Sequence, residues 1–152
     1  MIDVRQATVA DLDALALLFD GYRQFYGQPA NVAAGRAFLE ARMRGNESVI
    51  LLASLEAQAV GFCQLYPIFS SVSMRRAWLL NDLFVDPAGR GQGVGEQLLA
   101  AATAHGRASG AAWLMLQTAQ DNAPAQLLYA RAGWQLDQQF HTYILDLSGN
   151  SL

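Results

Sequence analysis

Lysine is missing from this chain: its ten basic residues are all arginine, set against thirteen aspartates and glutamates, for a formal charge of −3. That balance builds no broad basic face, so a nucleic-acid partner is not expected. An acidic average suits a cationic partner slightly better, although net charge governs encounter and solubility rather than identity. Cysteine is reduced to Cys63, which excludes an internal disulfide and reads as strand filler ahead of nucleophile. With His105 and His141 the only histidines, and no ligand spacing between them, a metal centre is disfavoured. No apolar run reaches the roughly 18 residues of a membrane span. Met1-Ile2-Asp3-Val4-Arg5 lacks the charged-then-apolar form of a secretory signal, so the expectation is a cytoplasmic protein away from the membrane. Repeats, low-complexity tracts and linkers are absent as well, and 152 residues make a single domain, 1–152, with room for a core.

Glycine, by contrast, is concentrated in one place. An apolar strand ending at Val85 runs into Asp86-Pro87-Ala88, and Gly89-Arg90-Gly91-Gln92-Gly93-Val94-Gly95 then opens an alanine- and leucine-rich helix. Glycines let the backbone approach a ligand, and the first turn of a helix has N–H groups with no internal partner. A phosphate there gains hydrogen bonds and the favourable end of the helix dipole. The nucleoside-triphosphate loop requires Gly-Lys-Ser/Thr, whereas Gly95 is followed by Glu96 and Gln97. A dinucleotide fingerprint requires glycines at positions one, three and six, but from Gly89, Gly91 or Gly93 the sixth residue is Val94, Glu96 or Leu98. Neither reading holds.

Around this loop the periodicity alternates between strand and helix. Ile2 to Ala7 reads as a strand, and Thr8 to Asp11 as the cap of a helix carrying Leu12, Leu15, Leu18 and Phe19 and ending near Gly21 to Gly27. Asn31 to Arg44 predicts a second helix, with Phe38, Leu39 and Met43 inward. Ser48 to Ser54, Ala59 to Phe69 and Arg76 to Val85 read as strands, with Gly61 a bulge or a point of close approach. Val94, Leu98, Ala101, Ala102 and His105 give the helix after the loop a small apolar face. Ala111 to Thr118 predicts a strand covered on both faces. Asp121-Asn122-Ala123-Pro124 opens a helix that Gly133 closes, and Gln135 to Leu147 predicts a last strand or hairpin, with His141, Tyr143, Leu145 and Leu147 on one face.

Arg90-Gly91-Gln92-Gly93-Val94-Gly95 resembles the Arg/Gln-x-x-Gly-x-Gly/Ala loop of the GNAT superfamily of acyl-CoA-dependent N-acetyltransferases. Leu83-Phe84-Val85-Asp86-Pro87 before it and Asn122 to Trp134 after it are similar to that family in order and separation, with some likeness to the spermidine/spermine enzymes. The resemblance implies a single α/β (α+β) domain. Its mixed, mostly antiparallel sheet of six to seven strands would be flanked by about four helices and splayed at the CoA site. It implies acetyl transfer from acetyl-CoA, without a metal, to a primary amine on a small polyamine- or amino-acid-like molecule or a peptide. Attack would be direct, since no Ser/His/Asp set or Cys/His pair is visible. A homodimer is implied by family habit.

Carried over by position, the backbone N–H of Leu83 meets the thioester carbonyl and that of Val85 the pantetheine amide, with Phe84 between them. Gly91, Gln92, Gly93, Val94, Gly95 and Glu96 supply donors for the diphosphate, Arg90 adds a charge or braces the loop, and Asn122 contacts the CoA arm while also capping its helix. Tyr129 is placed where family members carry the phenol that protonates the departing sulfur; a packed core tyrosine is the alternative. Asn81 stands where many relatives have a glutamate base, and an amide cannot accept that proton. The adjacent Asp82 faces the opposite side by alternation unless a bulge turns it, and is a candidate to bind the acceptor ammonium or to act as base through water, with a bond to the backbone the alternative. Tyr22, Phe25 and Tyr26 are core at a helix end or an aromatic wall around the acceptor. The rival to an enzyme is a CoA-binding sensor or scaffold that has lost its chemistry.

Overall fold

A computed structural model describes residues 1–149. The chain starts with strand β1 (Ile2–Gln6) and turns through Val9–Asp11 into helix α1 (Leu12–Phe25). The turn is held electrostatically. The Thr8 N–H donates to the Asp11 carboxylate at 2.8 Å, and Arg5 on β1 forks onto both its oxygens at 2.9 and 2.7 Å. Those donors, Arg5 first, pull the Asp11 carboxyl down to about 2.

Leu12, Leu15, Leu18 and Phe19 recur at helical spacing along α1 and are all buried. The helix runs through Gly21 and ends at Phe25, within the Gly21 to Gly27 stretch expected from the sequence. A Cβ at Gly21 would come within 3.0 Å of the Phe84 ring, so this glycine allows helix and sheet to touch rather than ending a helix. The chain turns at Gly27 instead, where φ is +84°. Helix α2 (Val32–Arg44) follows, capped by the Asn31 side chain, which accepts from the Ala34 N–H at 3.1 Å.

Strands β2 (Val49–Leu55), β3 (Gln58–Ser70) and β4 (Arg75–Val85) form an antiparallel meander, with β1 on the outer edge of β2. After a turn at Pro87–Gly89, helix α3 (Val94–Ala108) leads to β5 (Leu114–Met115), which pairs parallel to β4, and helix α4 (Ala123–Arg131) closes the series. The two faces of the sheet bury separate clusters. Leu51, Cys63, Leu65, Trp78 and Leu80 pack with Leu98, Leu99 and Ala102 of α3 on one side. Ile50, Leu52, Phe62 and Phe84 pack with α1 and with Leu39 of α2 on the other.

The described sheet has five strands rather than six or seven. Residues 135–147 form no strand, although Tyr143, Leu145 and Leu147 alternate as one would. Alternation supplies a propensity, but a strand requires a ladder partner, and none of the sheet's pairings reaches beyond Met115. The run from Ala111 to Thr118 is also less covered than expected. Leu114 and Leu116 pack on the α3 side, while Trp113 and Met115 are 41% and 43% exposed on the other. Among the described residues no helix is long and apolar enough to cross a membrane.

Two register shifts shape the meander. Ala53 opposes Gly61 while Ser54 opposes Ala59, so Val60 is the extra residue; Gln64 opposes Asp82 while Leu65 opposes Leu80, so Asn81 is the second. At Gly61 a Cβ would lie 2.9 Å from the Phe84 carbonyl oxygen, 3.2 Å from Val94 and 3.3 Å from Leu98. Gly61→Ala is therefore expected to lower unfolding free energy by about 1–3 kcal/mol in urea titrations. An unchanged midpoint would show that β3 and α3 separate without cost.

Candidate active site

The loop after β4 is held rigidly at its base. Asp86 donates its N–H to the Val60 carbonyl at 2.7 Å, and its carboxylate accepts from the Ala88 N–H at 3.0 Å, with Pro87 beginning the turn. Arg90 turns back: its Nε donates to the Val85 carbonyl at 2.9 Å and its guanidinium sits 5.9 Å from the Phe84 ring centre. Arg90 thus braces the loop against the end of β4. The Gln92 side chain folds onto the Ala88 carbonyl at 3.2 Å.

Gly91 and Gly93 have φ of +74° and +84°, a region where any other residue costs about 1–2 kcal/mol. Gly93 is also the residue that caps α3, and it has no side chain with which to do so. The helix's first internal bond is from the Gln97 N–H to the Gly93 carbonyl at 3.1 Å. The N–H groups of Val94, Gly95 and Glu96 are thereby left without a partner inside the helix. Beside them is a concavity of about 370 Å³ whose floor is the glycine loop and Val85 and whose far wall is Pro124, Ala125 and Leu128 of α4. Unpaired amides and the positive end of the α3 dipole both favour an anion at this position.

The concavity borders the end of β4 at Val85, and beside that strand the sheet parts. The β4–β5 ladder covers Trp78 with Leu114 and Leu79 with Met115, preceded by the Ala112 N–H on the Arg76 carbonyl at 2.7 Å, and among the described residues β4 then runs from Leu80 to Val85 with no strand on that side. Since the Asp86 N–H points toward β3, alternation turns the N–H groups of Val85 and Leu83 the other way, into the gap. Phe84 does not share that position. It opposes Phe62 on β3, and its ring is buried on the α1 face beside Phe62 and Tyr22. Asn122 caps α4, accepting from the Ala125 N–H at 3.3 Å, and is not among the residues lining the concavity. Tyr129, half-buried on α4, packs against Trp134 with ring centres 6.4 Å apart. Burial pushes its phenol up, with Tyr26 and Cys63 acting in the same direction, so it remains protonated at neutral pH.

The shift at Asn81 decides where Asp82 faces. Beyond that extra residue Leu83 and Val85 belong to the α3 side, whereas Asp82 and Phe84 face α1. Asp82 is 2% exposed, accepting from Gln64 Nε2 at 2.6 Å and from Asn81 Nδ2 at 2.7 Å, while Tyr22 donates its hydroxyl to the Asn81 carbonyl at 3.2 Å. Burial pushes the Asp82 carboxyl up, and the donors Asn81, Gln64 and Tyr22 offset part of that rise. The neighbouring Tyr66 is pushed up to about 12 by burial and by Asp82. Gln64 was missed in the sequence, although a fully buried amide in the middle of an apolar strand was the signal available.

A raised carboxyl has a definite consequence for stability. Between its ordinary value of 3.8 and its folded value, the folded chain holds a proton that the unfolded chain has released, so stability falls as pH rises through that window. In urea titrations from acid to neutral pH, wild type should lose stability relative to Asp82→Asn across the window and keep a constant difference above it. A difference independent of pH would mean that Asp82 titrates normally.

Comparison with known proteins agrees with this geometry. The profile of the Acetyltransferase (GNAT) family matches residues 15–134. Over 146 residues, 96% of this chain and 98% of the relative, the sequence is 45% identical to the uncharacterized N-acetyltransferase YhfO of Bacillus subtilis (strain 168). A crystal structure of a probable acetyltransferase has a TM-score of 0.93 at 43% identity, covering 97% of this chain and 99% of that one. The aminoglycoside N-acetyltransferase AAC(6')-Iy, solved in complex with CoA, shares the fold with a TM-score of 0.78 at 22% identity over 95% of each chain. The glycine loop, the parted strands and these likenesses together place the chain in the GNAT family, as an acetyltransferase.

Proposed function

We propose that the protein transfers an acetyl group from acetyl-CoA to the primary amine of a cationic small molecule or peptide. One observation carries the reading: the uncapped amides of residues 94–96 open onto a concavity that reaches β4 at Val85, the end of its open edge. A diphosphate fits the amides, and an extended amide-bearing arm fits a strand edge that lacks its ladder partner.

In this reading the Val85 and Leu83 N–H groups hold the arm and polarise the thioester carbonyl, supplying the donor that an oxyanion requires. The amine nitrogen attacks the carbonyl carbon, the carbon–sulfur bond breaks, and Tyr129 gives its proton to the departing sulfur. Asp82 is too deeply buried to meet the amine directly. It takes up the amine's proton through intervening water, and its charge favours a cation nearby. Phe25 and Tyr26, 64% and 58% exposed at the end of α1, offer π faces to the same cation. The choice among polyamine, amino-acid-like and peptide acceptors lies with that aromatic surface.

The test is free-thiol release from acetyl-CoA over a panel of polyamines, amino acids, aminoglycosides and peptide N-termini. Acceptor-dependent release is expected. CoA binding by calorimetry without release for any amine would instead favour the sensor or scaffold. Tyr129→Phe should reduce kcat by roughly tenfold or more while leaving the CoA Kd nearly unchanged. Wild-type turnover in that variant would remove the phenol from the chemistry.

A further inference from the structure

Gln64 is wholly buried in the middle of β3, with Phe62, Cys63 and Leu65 buried around it along the strand. In the register of the sheet it lies between Ile50 of β2 and Asp82 of β4. An amide in such a place has a donor end and an acceptor end to satisfy. Only the donor end is used: Nε2 donates to the Asp82 carboxylate at 2.6 Å, while Oε1 is buried with no partner among the described residues. A leucine would fill the same space without leaving a polar atom unpaired, so what the amide contributes is its bond to Asp82. The other groups around Asp82 differ in kind. Asn81, which donates at 2.7 Å, is an exposed residue, and Tyr22 of α1 also directs its hydroxyl to the Asn81 carbonyl. The ionisable neighbours, Tyr22 of α1 and Tyr66 and Cys63 of β3, are each pushed up by burial first and then by Asp82, and they stay neutral; Arg42 of α2 acts on Tyr66 in the opposite sense.

We propose that Gln64 is a positioning residue for Asp82: its amide donates to the carboxylate and turns over to accept from the carboxylic acid, so that Asp82 keeps its buried partner in both protonation states. Half a turn about the last side-chain bond exchanges Nε2 and Oε1, and converts the donated bond into an accepted one at the same place. Because the far end of the amide has no partner, no other described residue fixes which way round it sits, and one end is orphaned in either state. The inference rests on the proposed role of Asp82 in acetyl transfer. There Asp82 gains a proton as the amine loses one through water, and returns it to solvent before the next amine arrives. Both carboxylate oxygens face amide donors, Oδ2 that of Gln64 and Oδ1 that of Asn81. A proton added at Oδ2 needs an acceptor, which Gln64 supplies only when turned.

The Gln64 side-chain amide is identified by NMR as the signal lost in Gln64→Leu. Its nitrogen and proton shifts should follow the titration of Asp82 and become independent of pH in Asp82→Asn. A signal that stays constant through that titration would overturn the proposal. Removing the amide takes a donor from the carboxylate and an acceptor from the acid, and the bond to the charged form is the stronger of the two. In Gln64→Leu the pH at which Asp82 gains its proton, read from urea titrations against Gln64→Leu/Asp82→Asn, should therefore move up by about one pH unit. The acid limb of kcat/KM should move with it, and Gln64→Met, unbranched like glutamine, should do the same if the leucine variant does not fold. A midpoint equal to that of wild type would overturn the proposal and leave acetyl transfer standing. A midpoint that moves while the acid limb stays would show that Asp82 does not carry the amine's proton, and would overturn the catalytic half of the proposal. Absence of thiol release with every amine would remove the reaction itself, and the NMR signal and urea midpoint would still decide whether the amide turns.

Discussion

The parting of β4 from β5 is the constraint on which the rest of the structure depends. Parallel pairing covers two positions and then stops, leaving the edge of β4 from Leu80 to Val85 with main-chain groups that no strand satisfies. Sheets seldom leave such an edge beside a helix N-terminus that is also unpaired. Here both defects open on the same side, and Gly91 and Gly93 keep side chains out of the way. In the function proposed above, a ligand with a diphosphate at one end and amides along its length would satisfy both. The helix and the strand edge are held in place by contacts behind them, in particular Arg90 on the Val85 carbonyl and Asp86 on Val60.

The second organising feature is a single extra residue. By inserting Asn81 opposite the Gln64–Leu65 step, β4 reverses which face its later side chains take. The reversal puts Phe84 and Asp82 among the aromatics of α1 and leaves the α3 face to Leu83 and Val85. A carboxylate is thereby buried within reach of Gln64, Asn81 and Tyr22, whose hydrogen bonds limit but do not cancel the cost of burying it. A cationic acceptor in the family reaction would find negative charge behind the strand rather than on it.

Much of this was legible in the residues. The glycine spacing, the Asp-Pro turn and the periodicity of α1 to α4 are local properties, set by φ preferences and by which side chains recur on one face. The register shift at Asn81 was not legible. Nothing local marks it, because a bulge is defined by the strand opposite, and the side taken by Asp82 follows from pairing rather than from alternation along one strand. Gly21 shows the same limit from the helix side. The sequence places it near the end of a helix, but its role is set by the Phe84 ring it lies against across the interface.

The sequence alone therefore determined the glycine loop that opens α3 and the family it belongs to, because such a loop needs only glycines at fixed offsets before a helix. Tertiary structure alone decided how many strands form and where the buried carboxylate points. Those depend on ladder partners distant in the chain: β3 for Asp82, and for residues 135–147 a partner that the described sheet does not supply.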